Sequence, residues 1–129
     1  MIKVYLVGIS SYYEGEDIEV RYHIYKDQEL ICKNSVFHPY RKPAIVSQVA
    51  VQTVLKELEK FIGTEIIIIV NDGALNEQIK GTTKTKNIDV LKMARILREE
   101  FNKFENLLTI KDVSGNPVEL AKWNDELHP

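Results

Sequence analysis

The run Ile66-Ile67-Ile68-Ile69-Val70 constrains this chain more than any other segment. Its residues are all β-branched, which favours extended backbone, and no polar residue interrupts them. A strand without a wet face has to be covered on both sides. That makes it a central strand, parallel to a neighbour, with helices above and below. The run is far shorter than the roughly 18 residues a bilayer span requires. Asn71-Asp72-Gly73 ends it as a turn.

The flanking sequence supplies the other layers. Residues 2–9 are rich in Val, Ile and Tyr and read as a buried strand. After a polar turn over residues 10–16, Ile18, Val20, Tyr22 and Ile24 alternate with Glu19, Arg21, His23 and Tyr25, so the second strand has one wet face that includes His23. Asp27-Gln28 is a hairpin turn, and residues 30–37 return as a third antiparallel strand. Pro43 opens a helix whose Val46, Val49, Ala50, Val54, Leu58 and Phe61 recur at helical spacing until Gly63. A short helix follows over 74–79. Asn87 caps a longer one over 88–104. A last strand spans 107–113, and Pro117 starts a closing helix to Leu127. The order β-β-β-α-β-α-α-β-α predicts an α/β fold in three layers. Its mixed five-stranded sheet has three antiparallel strands, then parallel ones reached by helical crossovers.

Length and composition fit one domain over residues 1–129: 44% hydrophobic, 28% charged and a net charge of -2. A chain this close to neutrality can attract nucleic acid only through a local basic patch. Cys32 is the single cysteine, so no internal disulfide forms, and a cytoplasmic location is expected. The first residues read as a strand rather than a signal peptide, and no membrane association is expected.

Several short motifs resemble the ribonuclease H-like superfamily over nearly the whole chain. Val7-Gly8 is similar to the family's Asp-Gly on the first strand, with Val7 at the acid. Ser47-Gln48-Val49 is similar to the Ala-Glu-Leu of the first helix, with Gln48 at the glutamate. Asn71 through Gly81 resembles the family's run after the fourth strand, with Asn71 at the aspartate. Val118-Glu119-Leu120-Ala121 resembles the acid-bearing stretch of the last helix, with Glu119 retained. The resemblance implies a site for two divalent cations in a nuclease that keeps all four acids. Here Val7 offers no ligand, while Gln48 and Asn71 offer only neutral oxygens. A one-residue slip would place Asp72 instead of Asn71 at the fourth strand, on the opposite face. The resemblance therefore implies a non-catalytic module that binds nucleic acid or a nucleoprotein partner. The alternatives are a protein-interaction domain and a divergent magnesium-dependent nuclease built on Asp72 and Glu119, with Asp112 or Asp125 in support.

Two basic segments are candidates for phosphate contact. Tyr40, Arg41 and Lys42 precede the first helix, beside His38, and Lys84 and Lys86 punctuate a threonine-rich loop with Lys80. Tyr12 and Tyr13 in the first hairpin are candidates to line a site or a protein contact. His23, His128 and Cys32 have no metal-ligand company at a recognisable spacing, and no cofactor motif is present.

Overall fold

The computed structural model describes residues 1–11 and 13–128. The strands are β1 (Ile2–Ile9), β2 (Ile18–Lys26), β3 (Glu29–His38), β4 (Ile66–Val70) and β5 (Leu108–Asp112). The helices are α1 (Val46–Leu58), α2 (Leu75–Lys80), α3 (Ile88–Phe101) and α4 (Pro117–Leu127). The sheet runs β3-β2-β1-β4-β5. β1, β2 and β3 pair antiparallel, β4 joins β1 in parallel, and β5 joins β4 in parallel. This is the mixed sheet with helices on both faces that the isoleucine run demands.

The two faces of that run bury against different helices. Ile66, Ile68 and Val70 join Val4, Leu6 and Tyr22 beneath α1. Ile67 and Ile69 join Tyr5 and Val7 beneath Trp123 and Leu127 of α4. Each such side chain contributes about 1.5–3 kcal/mol by leaving water. A smaller cluster of Ile18, Ile45, Val46, Val49, Val90 and Met93 ties the start of α3 to the start of α1. That contact matters below, because a basic loop precedes each of these helices.

The element ends follow local chemistry. Pro43 opens a 3₁₀ turn over Pro43–Ile45 before α1 begins. Asn87 Oδ1 accepts from the backbone N–H of Asp89 at 3.0 Å and of Val90 at 3.2 Å, capping α3. The regular helix stops at Phe101, short of the expected 104, and a 3₁₀ turn over Asn102–Phe104 tightens it. Glu105 and Asn106 then take left-handed φ of 55° and 66°. Gly81, at φ 78°, ends α2 in the same region, where glycine has no side-chain penalty. Gly8 is required for a different reason. A Cβ there would lie 2.8 Å from Val46 Cγ1 and 2.9 Å from the Val46 carbonyl, so α1 packs against β1 only because the side chain is missing.

One expectation is corrected at the second strand. The face carrying Arg21, His23 and Tyr25 is not wet, because α4 crosses it, and His23 is only 4% exposed. Sequence alternation assigns residues to faces but does not say which faces a later helix will cover.

Candidate nucleic-acid interface and the neighbouring cleft

Parallel strands leave a crevice at their carboxyl ends, and here it opens between β1 and β4. Leu6, Val7, Gly8, Ser47, Ala50, Val70, Asn71, Asp72 and Trp123 line a cavity of about 50 Å³. That volume admits a few solvent molecules and no nucleotide. Trp123 lines the crevice, and its indole N–H donates to the Leu6 carbonyl at 3.0 Å. Asp72 is the carboxylate in this lining, and its Oδ1 already accepts from the Ala74 N–H at 2.9 Å as a turn cap. Asp112, at the end of β5, accepts from the N–H groups of Asp72 (3.2 Å) and Ser114 (2.9 Å) and from the Ser114 hydroxyl (2.7 Å).

The structure brings Val7, Asn71 and Asp72 together and separates Gln48 and Glu119 from them. Gln48 is buried on the side of α1 turned away from the crevice, its carboxamide 2.5 Å from that of Gln78. With its amide oriented to satisfy both ends, its nitrogen meets the carbonyls of Ala44 at 3.3 Å and Ile45 at 3.2 Å. Ser47 and Ala50 are the α1 residues that face the crevice. Glu119 belongs to the first turn of α4, where Asn116 Oδ1 accepts from its N–H at 3.1 Å. Its carboxylate accepts from Lys111 Nζ of β5 at 2.5 Å, on the sheet face that α4 covers. One helical turn further on, Trp123 is the α4 residue that lines the crevice. Asp125 lies on α4 with Tyr25, Leu30 and Lys33, outside the crevice. Among the described residues, no group of three His, Cys, Asp or Glu is gathered to hold a metal ion.

Ser47 and Trp123 were not singled out from sequence. The signal for Trp123 was present in principle: with Leu120 and Leu127 it forms one apolar stripe of α4. Nothing in the local motif indicated which turn of the helix would reach the crevice.

The first basic segment reaches the start of α3, the helix that the second basic segment precedes. Lys42 Nζ stands 3.5 Å from Asp89 Oδ2, in the first turn of α3 and just beyond the loop carrying Lys84 and Lys86. Arg41, Lys42, Lys84 and Lys86 are all exposed, and Tyr40 is half-buried beside them. The loop of residues 39–42 feeds directly into the start of α1, whose Ser47 opens on the crevice. Lys92 and Arg95 extend the cationic strip along the exposed side of α3, next to Ile88 and Leu91. Tyr13 is exposed in the first hairpin, and Tyr12 lies outside the described residues.

A second polar cluster lies beneath α4. Glu126 accepts from the Tyr25 hydroxyl at 2.6 Å and from His23 Nδ1 at 2.9 Å. Arg21 donates to the Leu127 carbonyl and, through Nε, to Glu19 at 2.8 Å. The hydrogen bond to Glu126, with burial and that carboxylate's charge, pushes the Tyr25 hydroxyl up to about 12. Burial alone would raise Glu126, but the hydrogen bonds from Tyr25 and His23 and the charges of His23 and Lys122 outweigh it and hold its carboxyl below the usual range.

No protein-family model matches the chain, and no curated protein matches it in sequence. Solved structures do match in shape. Ribonuclease H1 from the halophilic archaeon Halobacterium salinarum NRC-1 superposes with a TM-score of 0.78 at 16% identity, over 98% of this chain and 90% of that one. A compost-derived ribonuclease H1, solved in complex with an RNA/DNA hybrid, gives 0.75 at 15% identity over 98% and 94%. The N-terminal RNase H domain of a Mycobacterium tuberculosis protein gives 0.74 at 15% identity over the same shares, 98% and 94%. These matches show that the chain has the ribonuclease H-like fold.

Proposed function

We propose that the domain binds nucleic acid, most simply an RNA/DNA hybrid duplex, without cleaving it by two-metal chemistry. The carrying observation is the convergence of the Arg41-Lys42 and Lys84–Lys86 loops at the start of α3, made visible by the Lys42–Asp89 contact. Clustered cations displace counterions from a phosphate backbone, and that displacement drives binding even when the protein as a whole is slightly acidic. The hybrid-bound relative of the same fold supports the choice of ligand.

The chemistry of the crevice supports the second half of the proposal. Magnesium ions prefer oxygen ligands, and a pair of them needs several carboxylates for charge compensation. Val7, Ser47, Asn71 and Trp123 supply no negative charge, and Asp72 is engaged in its own turn. The residues present do not fit a pair of divalent cations. A nuclease built on Asp72 and Glu119 has no support in the geometry either, since Glu119 pairs with Lys111 away from the crevice.

The test is retention of a labelled RNA/DNA hybrid at low salt, with and without magnesium or manganese. Retention that weakens with salt, falls at least tenfold when Arg41, Lys42, Lys84 and Lys86 are all changed to Gln, and leaves the hybrid intact is the expected result. Absence of retention at low salt overturns the binding proposal. Metal-dependent cleavage that disappears in Asp72→Asn overturns the non-catalytic one.

A further inference from the structure

Among the described residues the outer edge of β3 is the longest unpaired strand edge, and its chemistry points to a second copy of this chain. β3 is ten residues long and pairs with β2 on one side only. Along it Leu30, Ile31 and Phe37 are exposed, Phe37 by 62%. Long edges with exposed apolar residues are poised to pair with another strand unless something blocks them. The one irregularity is at the hairpin end, where Leu30 pairs with Tyr25 and Cys32 with Ile24, leaving Ile31 as an extra residue. From Cys32 to His38 the strand is regular.

Antiparallel pairs alternate between hydrogen-bonded and non-hydrogen-bonded. Counting from the Lys26–Glu29 hairpin pair through the bulge, the N–H and carbonyl groups of Lys33, Ser35 and Phe37 point away from β2. In agreement, the Ser35 N–H is met by the side chain of Asn34, at 2.9 Å. That edge N–H is thus covered by a carboxamide whose nitrogen also donates to the Tyr22 hydroxyl at 3.2 Å, and a pairing strand has to displace its oxygen.

We infer that two copies pair antiparallel through β3, about a two-fold axis passing between their Asn34 residues, to form a continuous ten-stranded sheet. A two-fold axis normal to the sheet keeps each residue on its own face, so only pairs of equal parity can oppose one another. Centring on Asn34 sets Ser35 against Lys33 as a hydrogen-bonded pair. It also sets Cys32 against Val36 and the exposed Ile31 near Phe37. Centring on Lys33 would oppose two ammonium groups directly. The chosen register also completes an ion pair. Glu19 accepts from Arg21 and from the Ser35 hydroxyl through Oε2 alone, leaving Oε1 without a partner among the described residues. Lys33 of the second copy, lying opposite Ser35, brings its ammonium to that oxygen.

Light scattering or sedimentation velocity should give twice the 14.9 kDa of one chain, in a concentration-dependent manner. Ser35→Pro removes an outward N–H and adds bulk at the edge without touching the β2 ladder, so it should return the mass to one chain with the circular dichroism unchanged. Should that variant fold poorly, Val36→Cys provides an independent measurement. Its introduced thiol opposes Cys32 of the second copy in a non-hydrogen-bonded pair, close enough for a disulfide. Oxidation should give a covalent dimer whose peptide map links position 36 to Cys32. A wild-type chain that stays monomeric at every concentration overturns the inference. So does a dimer that survives Ser35→Pro, or one that never forms the 36–32 crosslink.

Discussion

Glu126 shows how much of this molecule depends on single side chains reaching across it. Its carboxylate ties α4 to Tyr25 and His23 of β2, more than a hundred positions earlier in the chain. The pH dependence follows from the directions of the shifts. A carboxyl held below its ordinary 4.5 stabilises the fold above that pH and loses the contribution as pH falls through the lower folded value. Tyr25 behaves in the opposite sense. Its contribution is fully present below pH 10 and disappears as pH rises through about 12. Glu126→Gln should therefore lower unfolding stability at neutral pH, and the difference from wild type should shrink on acidification. Urea melts across the acid limb measure this, and a gap that stays constant would count against the assignment. Gly8→Ala tests a different single-residue constraint. With Val46 already 2.8 Å from the missing Cβ, overpacking should cost about 1–3 kcal/mol in the same melts.

Among the elements, α4 decides most about the site. The resemblance put the family's last-helix acid at Glu119, in the first turn of α4. The helix instead docks through Trp123, whose indole bonds to Leu6, while Glu119 faces Lys111. Four-residue motif matches could not detect this, because the placement depends on how the apolar stripe of Leu120, Trp123 and Leu127 meets the sheet. The same holds for α1, where Ser47 rather than Gln48 turns to the crevice. Trp123→Ala should empty the crevice and loosen α4, at a cost of about 3–5 kcal/mol in denaturant melts. Trp123 is the only tryptophan, so its fluorescence reports docking directly. Emission of the native protein should be blue-shifted and move to the red when α4 undocks. Native emission already at solvent-exposed wavelengths would contradict the buried indole.

At the scale of the whole molecule, the distribution of charge matters more than its sum. The net charge of -2 conceals a cationic strip formed only when the start of α3 packs against the start of α1. Binding through that strip should follow a linear dependence of log affinity on log salt. Each lost phosphate contact should reduce the slope by about 0.9, so changing all four loop cations to Gln should remove up to about three or four slope units. An unchanged slope in that variant would place the contacts elsewhere. The antiparallel opening of the sheet, the parallel pairing of the isoleucine run and helices on both faces were legible from residue patterning, because a strand apolar on both sides leaves few ways to be covered; the spatial order of the strands came from the fold. The cap at Asn87 was equally local, whereas the need for Gly8 comes from Val46 of α1, far along the chain. The arrangement around the crevice was not. Which helix turn faces it, the burial of His23 beneath α4, and the meeting of two basic loops some forty residues apart all depend on packing between distant segments. Those contacts belong to no single stretch of sequence, so only the tertiary structure could decide them.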